Sequence, residues 1–281
     1  MMKLGSAAVF KRRADDEHYK KLKLYGFDYT DYPITGALDG KTEEEYKQMI
    51  LRDKQLADEA GVVIWQVHGP WIYPPRDDTP EHRAERMADM QRSIRMTGMI
   101  GCKYWVIHPI MPFGAHAEPD TEEFWRLNEE FWRALLPTAK ENGVTICLEN
   151  MPMKALSLST PDKVLEFVRK INDDNFKFCL DTGHAHIRGV SPADAVRMAG
   201  DDLKVLHVHD NDKTSDQHFP VFFGDINWRD FRRALEEINF DGVFSLELGI
   251  GYHIPDRAFD IMMQSACIAL EELLDQKVLR F

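Results

Sequence analysis

From end to end the chain alternates short apolar runs with longer amphipathic stretches, and few folds accommodate that rhythm. Short apolar segments bounded by turn residues read as strands buried on both faces, and the stretches between them carry apolar residues at helical spacing. Candidate strands cover 3–9, 27–32, 62–68, 104–109, 144–149, 178–181, 205–208 and 243–247. Candidate helices cover 43–60, 81–99, 121–142, 161–171, 191–198, 227–238 and 254–274. Thr160-Pro161 and Ser191-Pro192 mark helix starts, and Gly61 and Gly143 each stand just before a strand, where a left-handed residue closes a helix. Strand followed by helix, repeated about eight times, predicts an α/β fold with a parallel sheet closed into a (β/α)8 TIM barrel. At 281 residues one domain spanning 1–281 is the expectation.

Charge narrows the partners. Forty-seven acidic against thirty-five basic residues give a formal net charge of −12, which repels a polyanion at long range, so no nucleic acid is expected. Four cysteines are too few for a disulfide framework, and Cys147 and Cys179 sit within apolar runs, which suits a reducing compartment. Residues 1–12 lack the features of a secretory signal, and no apolar stretch approaches membrane-spanning length. A cytoplasmic protein, free of the membrane and open to homo-oligomer formation, is the expectation.

The informative feature is what ends the strands. His68, His108, Glu149, Asp181, His207 and Glu247 each close a different candidate strand. Singly, each reads as a polar terminus reaching water. Six on one face of a barrel form a constellation, because a carboxylate after a run such as Val144–Leu148 is costly to bury alone and coordination of a cation offsets that cost. Lysine and arginine are scarce next to these positions, so a plain ion-pair network lacks its cations. Carboxylates with an imidazole suit a hard or borderline divalent ion: Mn2+ leads, with Zn2+, Co2+ or Mg2+ as alternatives. Three longer connections, 69–80, 110–119 and 211–227, fall on the same face and predict loops over a closable pocket.

In order and spacing, the strings Val67-His68-Gly69-Pro70, Ile107-His108-Pro109, Cys147-Leu148-Glu149-Asn150, Leu180-Asp181-Thr182-Gly183-His184, His207-Val208-His209-Asp210-Asn211-Asp212 and Leu246-Glu247 resemble the xylose-isomerase-like barrel superfamily. The resemblance covers nearly the whole chain. It implies one catalytic divalent metal held by Glu149, Asp181, His207 and Glu247, with Glu149 and Glu247 as catalytic carboxylates on opposite faces of a sugar or polyol. The implied activity is a sugar isomerase or epimerase working through a metal-bound enediolate. His207 is preferred to His209 as the ligand because the family pattern places it three residues before an acidic residue, here Asp210. His68, His108, His184, His209, Asp216 and His218 are then expected to bind substrate, with His184 on the turn after Asp181.

Three other readings stand beside this one. A lyase or dehydratase would use the same residues. A trinuclear zinc phosphodiesterase of the endonuclease-four type matches at nine positions, adding His68, His108, His184, Asp216 and His218 to the four ligands. A non-catalytic sugar-binding barrel would not need two carboxylates flanking a metal. Two departures from the family pattern stand out. An apolar string, Phe219-Pro220-Val221-Phe222-Phe223, replaces a glycine-rich one and predicts an apolar lid. The second strand ends Asp28-Tyr29-Thr30-Asp31-Tyr32 where relatives often have a glutamate.

Overall fold

The computed structural model describes residues 3–7, 17–34, 41–249 and 254–274. Eight parallel strands run around one sheet: β1 (Lys3–Ser6), β2 (Tyr29–Pro33), β3 (Val63–His68), β4 (Tyr104–Ile107), β5 (Thr145–Glu149), β6 (Phe176–Asp181), β7 (Leu203–His207) and β8 (Val243–Leu246). Helices α1 (His18–Leu24), α2 (Glu43–Ala60), α3 (Pro80–Met99), α4 (Thr121–Glu141), α5 (Pro161–Ile171), α6 (Thr182–Ile187), α7 (Pro192–Ala199), α8 (Trp228–Glu237) and α9 (Asp256–Leu274) lie between and after them. Each strand pairs with its sequence neighbour, and β1 pairs with β8 over Lys3↔Val243 to Ser6↔Leu246. The ring closes between β7 and β8 through a single bridge, Val208↔Leu246. This is the expected (β/α)8 barrel.

Local chemistry sets the element ends. Thr42 and Glu45 form a reciprocal capping box at the start of α2, and Gly61, with φ of 70°, takes the left-handed turn that releases the chain into β3. The apolar face of α5, Val164, Leu165, Phe167, Val168 and Ile171, is buried. The end predicted for the first strand, residues 8 and 9, lies outside the described residues. Two helices depart from expectation. The apolar periodicity does not predict α1, and the residues after Asp181 form the short buried helix α6 rather than a turn. The Asp181 carboxylate accepts from the His184 backbone N–H at 2.6 Å and so supplies the cap that starts α6.

Alternation along the strands connects the core to the site. Val106, Cys147, Cys179 and Val205 form a dry cluster that is separate from the larger core beneath the helices. Side chains two residues on share the same face. From these four positions that step reaches His108, Glu149, Asp181 and His207, so the apolar plug is the floor on which the polar groups stand. All four cysteines are buried and free. Among the described residues no helix is long and apolar enough to cross a membrane.

Candidate metal centre and substrate pocket

At the carboxyl ends of the strands a cavity of about 440 Å3 is lined by Asp31, His68, Trp71, His108, Glu149, His184, Asp216, His218 and Glu247, with Met151, Pro152, Met153 and Leu248 as apolar wall. Its centre is Glu149, 1% exposed. His207 Nδ1 lies 3.0 Å from Glu149 Oε1 and 3.4 Å from Glu247 Oε2. One side-chain ligand atom from each of Glu149, Asp181, His207 and Glu247 lies within 4.8 Å of the other three. The structure therefore brings together the four residues expected from the sequence.

The substrate-binding candidates fall into two groups around this centre. His68 Nε2 and His108 Nε2 stand 3.8 and 3.2 Å from Glu149 Oε2. On the other side His184 Nε2 is 3.1 Å and His218 Nε2 is 3.3 Å from Asp216 Oδ2, while His209 Nε2 is 2.9 Å from Asp181 Oδ2. The His209 and His218 rings stack with centroids 3.8 Å apart. Gly183 is required here, because a Cβ would lie 2.0 Å from His209 Cε1.

The electrostatics follow from burial set against opposite charge. Burial alone would raise the Glu149 carboxyl, but His207 and His108 hold it well below its usual value. Burial would likewise lower His207, yet Glu149, Glu247 and Asp31 raise it well above the ordinary histidine range. His184 is pushed up to about 10 against its own burial by Asp181, Asp216 and Glu149. His108 goes the other way, lowered because desolvation outweighs Glu149. Imidazoles are the groups that face these carboxylates, and among the described residues no lysine or arginine pairs with Glu149, Asp181 or Glu247.

That pattern fits a divalent cation. Glu149 Oε2 is buried and, though 3.2 Å from His108 Nε2, makes no well-directed hydrogen bond; His209 Nδ1 is buried with none, and four ligand atoms of the right types lie within 4.8 Å of one another. Of three further groups of ligand-type residues with the same spacing, two are rich in histidine, His68, His108 and Glu149, and His184, His209, Asp216 and His218; the third is Glu149, Cys179 and His207.

Sequence reasoning did not single out Asp31, which the structure places against His207 Nε2 at 2.7 Å. Nor did it assign Asn150, whose side chain donates to Asp181 O at 3.0 Å and accepts from Asp181 N–H at 2.9 Å, fixing the end of β6. The period of two in β2 was the available signal for Asp31. Of the three expected loops, 69–80 and 110–119 are tied together by Asp77, which accepts from Met111 N–H at 2.7 Å. In the third, Phe222 and Phe223 are exposed, Val221 is buried, and none of them lines the cavity.

Fold and strand-end residues together define a xylose isomerase-like barrel, and that family's sequence pattern matches residues 19–262, so the chain belongs to the xylose isomerase-like TIM barrel family. Among its relatives, a D-psicose 3-epimerase of Enterocloster bolteae is 31% identical over 116 residues, covering 41% of this chain and 37% of that protein. A probable endonuclease 4 of Acholeplasma laidlawii is 24% identical over 295 residues, covering 92% of this chain and 97% of that protein. Relatives at 35% and 31% identity are matched over only about two fifths of their own length, 40% and 37%. A solved D-tagatose 3-epimerase-like protein superposes with a TM-score of 0.79 at 24% identity over 97% of both chains, and shares the fold.

Proposed function

We propose that this chain is a divalent-metal-dependent epimerase or isomerase of a sugar or polyol-like hydroxy-ketone. The observation that carries the reading is the pair of carboxylates, Glu149 and Glu247, both close to His207 Nδ1, at 3.0 and 3.4 Å, and both lining one cavity. The epimerase names among the relatives support the same reaction class.

Epimerisation beside a carbonyl needs a C–H proton to leave on one face and a proton to return on the other. One glutamate takes the proton; the C–H electron pair moves toward the carbonyl, giving an enediolate. The other glutamate, in its acid form, returns a proton to the opposite face. A cation held by Glu149, Asp181, His207 and Glu247 would supply positive charge to the substrate's carbonyl and neighbouring hydroxyl oxygens. His68, His108 and His184 line the cavity as hydrogen-bonding groups for hydroxyls, and Trp71 and Met151–Met153 exclude water from the reacting carbon. Mn2+ is the proposed ion, with Zn2+, Co2+ and Mg2+ as alternatives.

The test is deuterium uptake by ketoses in D2O, catalysed by the Mn2+-loaded protein. Glu149→Gln and Glu247→Gln should each abolish exchange while the fold, followed by circular dichroism, is kept. Retained exchange in both variants would refute the assignment. A second reading, metal-dependent phosphodiester hydrolysis, is favoured by the two histidine-rich ligand groups and by the endonuclease relatives. It predicts about three zincs per chain and cleavage of abasic DNA; one metal per chain and intact DNA at low salt would remove it.

A further inference from the structure

We infer that Asp31 is a positioning residue for the candidate metal centre: it holds His207 by Nε2 so that Nδ1 is the atom offered to a cation. The inference rests on the metal-dependent reading above. Asp31 Oδ2 lies 2.7 Å from His207 Nε2, and the same oxygen accepts from Gln66 Nε2 at 3.0 Å. Gln66 is fully buried and also donates to Leu206 O at 3.3 Å, so the carboxylate is anchored from β3 and from the backbone of β7. The pairing of β2 with β3 slips between Thr30 and Asp31, an irregularity of the kind that re-aims a side chain.

Why a carboxylate stands here is the question the packing leaves open. Asp31 is 2% exposed, its Oδ1 has no hydrogen-bond partner, and no lysine or arginine among the described residues pairs with it. Burying that group costs stability, and an asparagine of the same shape would satisfy the space and the Gln66 contact at a lower desolvation cost. What asparagine lacks is the negative charge that draws the Nε2 proton and makes the ring a stronger ligand through its other nitrogen. A carboxylate only accepts, so the Nε2 facing it carries the hydrogen. Nδ1 is then the atom turned toward Glu149 Oε1 and Glu247 Oε2, at 3.0 and 3.4 Å. A lone pair aimed at two carboxylate oxygens is favourable only with a cation or a proton between them. An imidazole whose far nitrogen is held by a carboxylate is also a more basic ligand.

The experiment titrates metal-depleted full-length protein with MnCl2 by calorimetry. Asp31→Asn should raise the Mn2+ dissociation constant by about 10–100-fold. A second readout follows the ring itself: in Zn2+-loaded, 15N-histidine-labelled protein, a long-range proton–nitrogen correlation should show His207 as the Nε2–H tautomer. In Asp31→Asn the Nε2–H proton resonance should move upfield, because its acceptor is no longer charged. A structural role alone would lower the urea midpoint of the metal-free variant without moving either readout. Mn2+ affinity within about threefold of the parent, or an unchanged Nε2–H resonance, overturns the role of Asp31. If the parent protein itself takes up neither ion, the metal reading falls and this inference with it; if the parent binds and the variant binds equally, only Asp31 is removed.

Discussion

The loops over the pocket share one buried knot, and replacing Asp77 by asparagine tests how much they depend on it. Asp77 is fully buried, with oxygens 2.7 and 2.6 Å from Arg86 Nη1, and Oδ2 also accepts from Met111 N–H at 2.7 Å. Arg83 Nη1 donates to the Asp77 backbone carbonyl at 2.7 Å. An asparagine has one acceptor oxygen, so either orientation turns an NH2 toward a donor, Arg86 Nη1 in one and the Met111 amide in the other. The Arg86 side chain is only 10% exposed and loses its charge partner in both. Breaking a buried ion pair from one side costs about 3–5 kcal/mol. For a chain of this size about 3 kcal/mol corresponds to a melting point lower by roughly 6–12 °C. The assay is urea unfolding followed by circular dichroism, with Arg86→Met and the double variant Asp77→Asn/Arg86→Met completing the cycle. The double variant should be less destabilised than the sum of the singles, because no charge is then stranded. A loss below about 1 kcal/mol in Asp77→Asn, or strict additivity, would refute the argument.

Two more outcomes are expected. Gly183→Ala places a Cβ 2.0 Å from His209 Cε1, so the ring or α6 must move; thermal unfolding should show a loss of about 1–3 kcal/mol, and an unchanged melting point would contradict the packing. Burial pushes the Cys102 and Cys267 thiols up to about 12 and raises Cys147 and Cys179 as well, so at pH 8 iodoacetamide should add nothing to the folded chain and four groups in denaturant. The sign of the linkage follows: above pH 9 the unfolded thiols release protons that the folded ones keep, so these groups reduce stability as pH rises from 9 toward 12, which a urea midpoint series at high pH would detect.

What could be read from the sequence was what repeats or stands close in the chain. β5 declared itself because a strand covered on both faces is apolar throughout, and Thr145–Glu149 is buried at every position. The metal-ligand types were legible because alternation delivers them to one strand end after another. α1 was not legible: seven residues, three of them lysine and with no acidic first turn, are too short for a sustained period, although His18, Tyr19 and Leu22 are buried at helical spacing. α6 reads as a turn because glycine, threonine and two histidines are weak helix formers, and only the Asp181 cap and the surrounding core make it helical. Asp31 was visible as a departure but not as a contact, since His207 lies 176 residues further along the chain.

The closing seam of the barrel carries a mechanical consequence. β7 and β8 meet through two backbone hydrogen bonds, Val208 N–H to Ser245 O at 2.8 Å and Glu247 N–H to Val208 O at 3.1 Å, whereas β1 and β8 are in register over four residues. His207 and Glu247 stand on opposite lips of that joint. A cation shared by them would act as a rivet across one of the two thin joints of the ring, the other being β1–β2, paired at Gly5↔Tyr29 alone, and its binding energy would appear as resistance of the cylinder to springing open. The joint is then where a demetallated barrel should first exchange its amide hydrogens.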